Sequence, residues 1–301
     1  MENRNVLIRI LCLLVVTSVL SGCQGTQSPN IETSGDTQQP VVERRSELIK
    51  QIFYNVPSPL EMAQLIQKSN VGYNKDLLSS YGREKEFLTQ DYQALNLGVY
   101  GADLSYCRVF DQVQESIKYL SSIRYLTQSL QIPQDQSNTA VERLEKNLSN
   151  KDSLISVVIE LFTNADVYLR ESKREGSAVM ILVGSWLEGM YIATHLITED
   201  QYKPGLISAL AGQKHSAINM VRLLEPYASE NEFRTTILEH LTAIGELFQQ
   251  VVVKESENVV SVDTTMKRTV LESNTQYIMD NETFIEIKEK FAKVRSIIIK
   301  E

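Results

Sequence analysis

No stretch of this sequence spells a catalytic signature at a usable spacing. There is no Gly-x-Ser-x-Gly nucleophile turn, and Gly184-Ser185-Trp186 sits inside a helical pattern. No Walker loop or dinucleotide glycine loop occurs; Gly98-x-x-Gly101 also falls inside a helical pattern, which argues against phosphate cradling. Histidine is scarce: His195, His215 and His240 are the three in the chain. Each falls on a separate expected helix, with no Glu-x-x-His or His-x-x-x-His pair, so no metal site and no cofactor is expected. Basic residues are outnumbered, 30 Lys and Arg against 38 Asp and Glu, for a net charge of −8. Nucleic acid demands a basic face, so it is excluded as an expected partner.

Cysteine is nearly absent too, and the three present lead to the N-terminus. Arg4 and Arg9 precede Ile10–Leu20, an almost wholly apolar run of signal-peptide length. It is shorter than the roughly 20 apolar residues that cross a bilayer. The run ends in Leu20-Ser21-Gly22-Cys23, which resembles the bacterial lipobox at all four positions. That resemblance implies cleavage before Cys23, diacylglycerol on its sulfur and an acyl group on its nitrogen. An ordinary secretory signal with an incidental Cys23 is the alternative. Removal of 1–22 takes away Arg4, Arg9 and Glu2 and shifts the balance from −8 to −9. Cys107 is then the one remaining free thiol, so no disulfide forms within the mature chain. Set among apolar residues, Cys107 reads as core rather than as a reactive thiol.

Residues 24–40 carry one large apolar residue, Ile31, among Gly, Pro, Ser, Thr and Gln. Such a segment buries too little to offset its ordering entropy and reads as a flexible tether. The expected organisation is therefore a signal over 1–22, a tether over 23–42 and one helical domain over 43–301. Gln24, where inner-membrane lipoproteins carry aspartate, and the lack of an acidic cluster after Cys23 place the expected anchor in the outer membrane, facing the periplasm. The membrane is the expected partner through Cys23; beyond it an envelope protein or a small-molecule ligand fits.

From Val42 onward the helical period dominates, and Gly and Pro gather at breaks. The expected fold is all-α, a bundle of about eight to nine helices. Residues 43–56 form one amphipathic stretch. Ser58-Pro59-Leu60-Glu61 reads as a capping box with proline at the first helical position, opening a helix to Lys68. A loop over 70–86 contains Gly72 and Gly82; its tyrosines 73, 81 and neighbouring 92 are either lids packed on the core or exposed contacts for glycans or partners. A long stretch from Thr89 to Leu130 breaks near Arg108. Its Ala94, Gly98, Gly101, Ala102 and Ser105 make a smooth stripe, which predicts a helix packed very close. Further helices are expected over 138–148, 152–171, 177–197, 204–224, 230–253 and 282–299. Val259–Val262 and Tyr277–Met279 either pair as a small hairpin or extend helices or loops.

The segments 94–106, Val56–Met62, Asn150–Leu154 and Trp186–Thr194 are similar to stretches in uncharacterised lipoproteins of Bacteroidetes. The resemblance spans most of 50–200 and implies a helical lipoprotein with no assigned activity.

Residues 177–197 are apolar nearly all round, so that helix belongs at the centre. Glu188 interrupts it, where an unpaired charge is costly. At 100° per residue Ser177, Glu188 and His195 lie within about 20° of one another, with Tyr191 near them. This seam reads either as a pocket lined by Glu188, Tyr191 and His195 and faced by Asp103, or as a buried network fixing helix register. Asp103 either sits buried with a raised pKa or points to solvent as a cap. The function expected from these features is a non-enzymatic binding or scaffold module of the envelope. The alternative is a ligand binder or enzyme using Asp103 and Glu188, which requires both carboxylates to converge where water can reach them.

Overall fold

Helix boundaries in this chain follow its caps and breaks closely. In the computed structural model, residues 56–133, 162–198, 203–255, 259–263, 268–272 and 275–300 are described. Cys23, the tether, residues 43–55 and the expected helix over 138–148 lie outside them, as does the start of the one at Asp152. Helix α1, Pro59–Lys68, opens on the capping box: the Ser58 hydroxyl accepts from the Glu61 amide, and the Glu61 carboxylate accepts from the Ser58 amide at 2.7 Å. Two 3-10 turns, Lys75–Leu77 and Glu84–Glu86, punctuate the following loop, with Gly82 at φ +84° supplying a left-handed bend.

The long helical stretch breaks as expected, into α2, Gln90–Val109, and α3, Val113–Ser129. Residues 162–171 form α4, α5 runs Glu175–His195 and α6 runs Pro204–Ala211. Then follow α7, Lys214–Ala228, α8, Glu232–Gln249, and α9, Asn281–Ile299. The single helix expected over 204–224 is thus two, because α6 stops at Gly212 and Gln213 before α7 begins. The one expected over 230–253 ends at Gln249, and Val252 and Val253 pass into a strand.

Strands β1, Val252–Glu255, β2, Val259–Asp263, β3, Arg268–Glu272, and β4, Thr275–Ile278, make two nested antiparallel ladders. β1 pairs with β4, setting Val253 opposite Tyr277; β2 pairs with β3, setting Val259 opposite Glu272. A hairpin element is therefore present, with different partners from those expected: Val259–Val262 meets Thr269–Glu272, and Tyr277-Ile278 meets Val252-Val253.

Helix α5 is the axis of the bundle. Its length and composition would pass for a membrane span, yet 94% of its apolar window is buried by neighbouring helices. α2 packs along it so closely that a Cβ at Gly98 would fall on the Ile181 carbonyl oxygen, and one at Gly184 on that of Leu95. The two glycines are thus reciprocal, each removing a side chain where the partner backbone passes. A Cβ at Gly101 would likewise meet the Phe162 ring on α4. The small-residue stripe serves the close contact that it predicts. Cys107 is fully buried, as a core residue should be, and burial pushes its thiol up to about 12. Among the loop tyrosines, Tyr73 stacks on Tyr106 and Tyr92 on Phe233, which makes these two lids on the core, whereas Tyr81 meets Tyr119 edge-on and is 38% exposed.

Candidate functional site: a buried cluster of two carboxylates and one guanidinium

Close approach of α2 and α5 carries Asp103 and Glu188 into the same interior region. Asp103 lies about one and a half turns beyond Gly98, and Glu188 one turn beyond Gly184, so the glycine contact sets the separation of the two chain segments. Both carboxyl groups are enclosed, at 0% and 1% exposure. They lie within hydrogen-bonding reach of each other.

A third helix delivers the counter-charge. Arg295 of α9 donates to Glu188 through Nε at 2.7 Å and Nη2 at 2.9 Å, a two-pronged contact that occupies both carboxylate oxygens. Its Nη2 also donates to the Leu77 carbonyl at 3.1 Å, which ties the end of the first 3-10 turn to the cluster. The Tyr191 ring covers the guanidinium, with Cζ 4.1 Å from the ring centre. Burial works against the charge on Arg295, but Glu188 and Asp103 outweigh it and hold the guanidinium above its ordinary pKa.

On the other side, the Ser79 amide donates to Asp103 Oδ2 at 3.3 Å, and the Ser79 hydroxyl donates to the same oxygen. The Ser79 carbonyl in turn accepts from the Tyr119 hydroxyl at 2.7 Å. Asp103 Oδ1, also buried, receives no hydrogen bond from any donor among the described residues. Burial, followed by the charge on Glu188, pushes Asp103 well above the usual carboxylate range; Arg295 and Ser79 pull the other way.

Of the four residues read from the sequence, the structure unites Asp103 and Glu188 and sets Tyr191 against their arginine. His195 is elsewhere. Angular coincidence on a helix is not proximity: at about 1.5 Å of rise per residue, His195 lies roughly 10 Å and Ser177 roughly 16 Å along the axis from Glu188. The His195 ring lies tilted against that of Tyr191, with centres 4.0 Å apart, and its Nδ1 lies 2.8 Å from the Tyr191 carbonyl oxygen. Burial, with Lys288 and Arg295 nearby, lowers it to about 4 and keeps it neutral at physiological pH. The expected common pocket is therefore two places. The carboxylates are sealed inside, while His195 lines a surface groove of about 650 Å³ with Ile207, Phe284, Ile285 and Lys288. Convergence of Asp103 and Glu188 is met; access by water is not.

Arg295, Ser79 and Tyr119 escaped the sequence reading. For Arg295 a signal existed. It is four residues after Phe291 and three before Ile298, on the same stripe as Phe284 and Ile287, so the apolar period of α9 places a cation on the buried face. Tyr119 similarly falls on the buried stripe of α3 with Ser116, Leu120 and Ile123. Ser79 lies in a loop, where no period marks burial. Among the described residues no three His, Cys, Asp or Glu side chains gather as a metal site would require. No protein-family model matches this chain, and no curated protein or solved structure matches it either.

Proposed function

We propose that this chain is a lipid-anchored helical module of the bacterial cell envelope, held at the periplasmic face of the outer membrane through Cys23 and working by binding rather than by catalysis. The Leu20-Ser21-Gly22-Cys23 spelling and the polar stretch behind it support the anchor. Multiple acyl chains on one residue make such anchoring stable, at about 0.8 kcal/mol per buried methylene.

One observation carries the non-catalytic part. Asp103 and Glu188, the carboxylates best placed in the sequence for acid–base work, are 0% and 1% exposed, and Arg295 fills both oxygens of Glu188. A general acid or base must come within hydrogen-bond reach of a substrate proton, whereas among the described residues these groups reach one another, Ser79 and Arg295. What the surface offers instead is apolar. Val252 and Ile278 are 53% and 41% exposed and stand opposite each other across the outer ladder; Ile285, 46% exposed, lines the His195 groove. The groove favours a second reading, capture of a small, largely apolar ligand, since its size falls within the range of such sites.

The test is expression of the full chain in a bacterium, followed by membrane fractionation and mass spectrometry of the N-terminus. The expected result is a membrane-bound product beginning at a diacylglyceryl Cys23, with Cys23→Ala released to the soluble fraction. An unmodified N-terminus, or a soluble wild-type product, would overturn the anchor. Photo-crosslinking from Ile285 and Val252 in the same cells tests binding: one discrete adduct is expected, and none at either position would contradict it.

A further inference from the structure

Charges in the buried cluster do not balance if every group is ionised. Arg295 and Glu188 neutralise each other through their two-pronged contact. Asp103 then remains as a carboxyl group with no further cation to meet it among the described residues. Among the described residues, both donors that reach Asp103 come from Ser79, and both go to Oδ2. Oδ1 is buried and bare of donors among the described residues, and the Glu188 carboxyl group lies within hydrogen-bonding reach of the Asp103 side chain. An ionised Asp103 would leave a desolvated anionic oxygen facing like charge, the costliest arrangement a carboxylate can take. A carboxylic acid has no such difficulty. With hydrogen on Oδ1 that atom becomes a donor, and Glu188 is the acceptor within reach. The proton belongs on Asp103 rather than Glu188, because both Glu188 oxygens already accept from Arg295.

We propose that Asp103 is a neutral carboxylic acid at physiological pH, donating to Glu188, and that this proton closes a latch joining α2, α5 and α9 that loosens in alkaline solution. Opening is one deprotonation: hydroxide takes the Oδ1 proton to give water, leaving two carboxylates facing one guanidinium.

The neighbours leave this titration isolated. From α2 come Tyr100, which burial raises, and Cys107, held at about 12; from α3 comes Tyr119, which burial raises as well. From α9 comes Arg295, raised by Glu188 and Asp103 against the opposing effect of burial, and from the loop comes Ser79, which has no charge to lose. From α5 come Glu188 itself and Tyr191, whose ring covers the guanidinium. α1 presents the apolar Met62, Ala63 and Ile66 among its buried residues. His195 changes charge on the acid side, near 4.

The sign follows from linkage. An acid whose folded pKa is raised binds its proton more tightly in the folded state. The stability it confers is present below the ordinary aspartate pKa and is lost as pH rises toward the folded pKa. Urea unfolding of the full chain, followed by the fluorescence of its single tryptophan, buried Trp186, reads this directly. Above about pH 6.5, where His195 is neutral in both the folded and the unfolded chain, the wild-type folding constant is expected to fall by up to about tenfold per pH unit as pH rises toward the folded pKa of Asp103. Asp103→Asn keeps a donor toward Glu188 but cannot titrate, and Glu188→Gln removes the neighbouring charge; both should flatten the profile. A wild-type slope shared by both variants would overturn the proposal. If either variant fails to fold, infrared spectra of wild-type protein carrying ¹³C-labelled aspartate carboxyls decide. A protonated aspartate carbonyl band at neutral pH, lost on alkalinisation, is expected, and its absence would overturn the latch.

Discussion

Two clusters in this molecule share a stoichiometry and differ in their access to water. In the core, Arg295 pairs with Glu188, with Asp103 beside that pair; nearer the surface, Arg234 of α8 pairs with Asp91 of α2 and Glu230. Each holds two carboxyl groups and one guanidinium. In the outer cluster Arg234 donates to Asp91 Oδ1 through Nε at 3.0 Å and Nη2 at 2.7 Å, and Asn231 donates to Oδ2 at 2.5 Å. Both oxygens of Asp91 are served. The second carboxyl group, Glu230, contacts Arg234 Nη1 but is 54% exposed, so water solvates whatever charge it carries. The inner cluster has no such outlet, and one oxygen of Asp103 stays bare. A surplus carboxyl group is accommodated by solvent where it is exposed, as at Glu230, and by a proton where it is enclosed, as at Asp103.

Removing the cation from each cluster sharpens the contrast. Arg295→Met leaves two enclosed carboxyl groups without a counter-charge and should destabilise the fold by about 3–5 kcal/mol in urea titrations. Gly98→Ala acts on the same cluster indirectly. The added methyl pushes α2 off α5 at the Ile181 carbonyl and so separates the segments carrying Asp103 and Glu188. Overpacking against backbone has no flexible partner to yield, so a loss of about 3 kcal/mol is expected. Arg234→Met should cost less, about 1–3 kcal/mol, because Asn231 still serves Asp91 and Glu230 is already solvated. Equal losses for Arg295→Met and Arg234→Met would break the comparison.

Acid provides a smaller and opposite signal. His195 is held neutral by burial, with its pKa lowered to about 4, so the unfolded chain takes up a proton first as pH falls. Stability from this group is present above about pH 6.5 and is lost on acidification toward about pH 4. Thermal melts of His195→Gln should lack that acid-side decline while keeping the alkaline decline assigned to Asp103. Glu230→Gln, at an exposed position, should change stability by less than about 0.5 kcal/mol.

The sequence shows some of this architecture through local rules and conceals the rest through non-local ones. Ser58-Pro59-Leu60-Glu61 announces α1 because a capping box is complete within four residues. The apolar run around Glu188 announces α5, and the small residues of α2 announce its close partner without naming it. Helix ends are harder. Asp111, Gln131 and Lys173 take left-handed backbone angles after α2, α3 and α4, where glycine is the usual marker. The amides that follow still close the expected long-range bonds, Gln112 to Cys107, Ile132 to Thr127 and Arg174 to Leu169. The stops are thus standard in geometry and unmarked in spelling. The inner cluster was half visible. Glu188 stands out as a charge in an apolar helix, but the bond that explains it crosses 107 positions to Arg295. Periodicity within one helix cannot report such a pairing, nor can it convert a shared helix face into a shared pocket, as the position of His195 demonstrates.

The most direct test of the central contrast is ¹³C NMR of the Asp103 side-chain carboxyl carbon across a pH titration of the full folded chain, assigned by its disappearance in Asp103→Asn. A protonated chemical shift that persists unchanged from acid through neutral pH and moves only on alkalinisation is the predicted result. A resonance that moves through the acid range together with ordinary solvent-exposed carboxylates would contradict it.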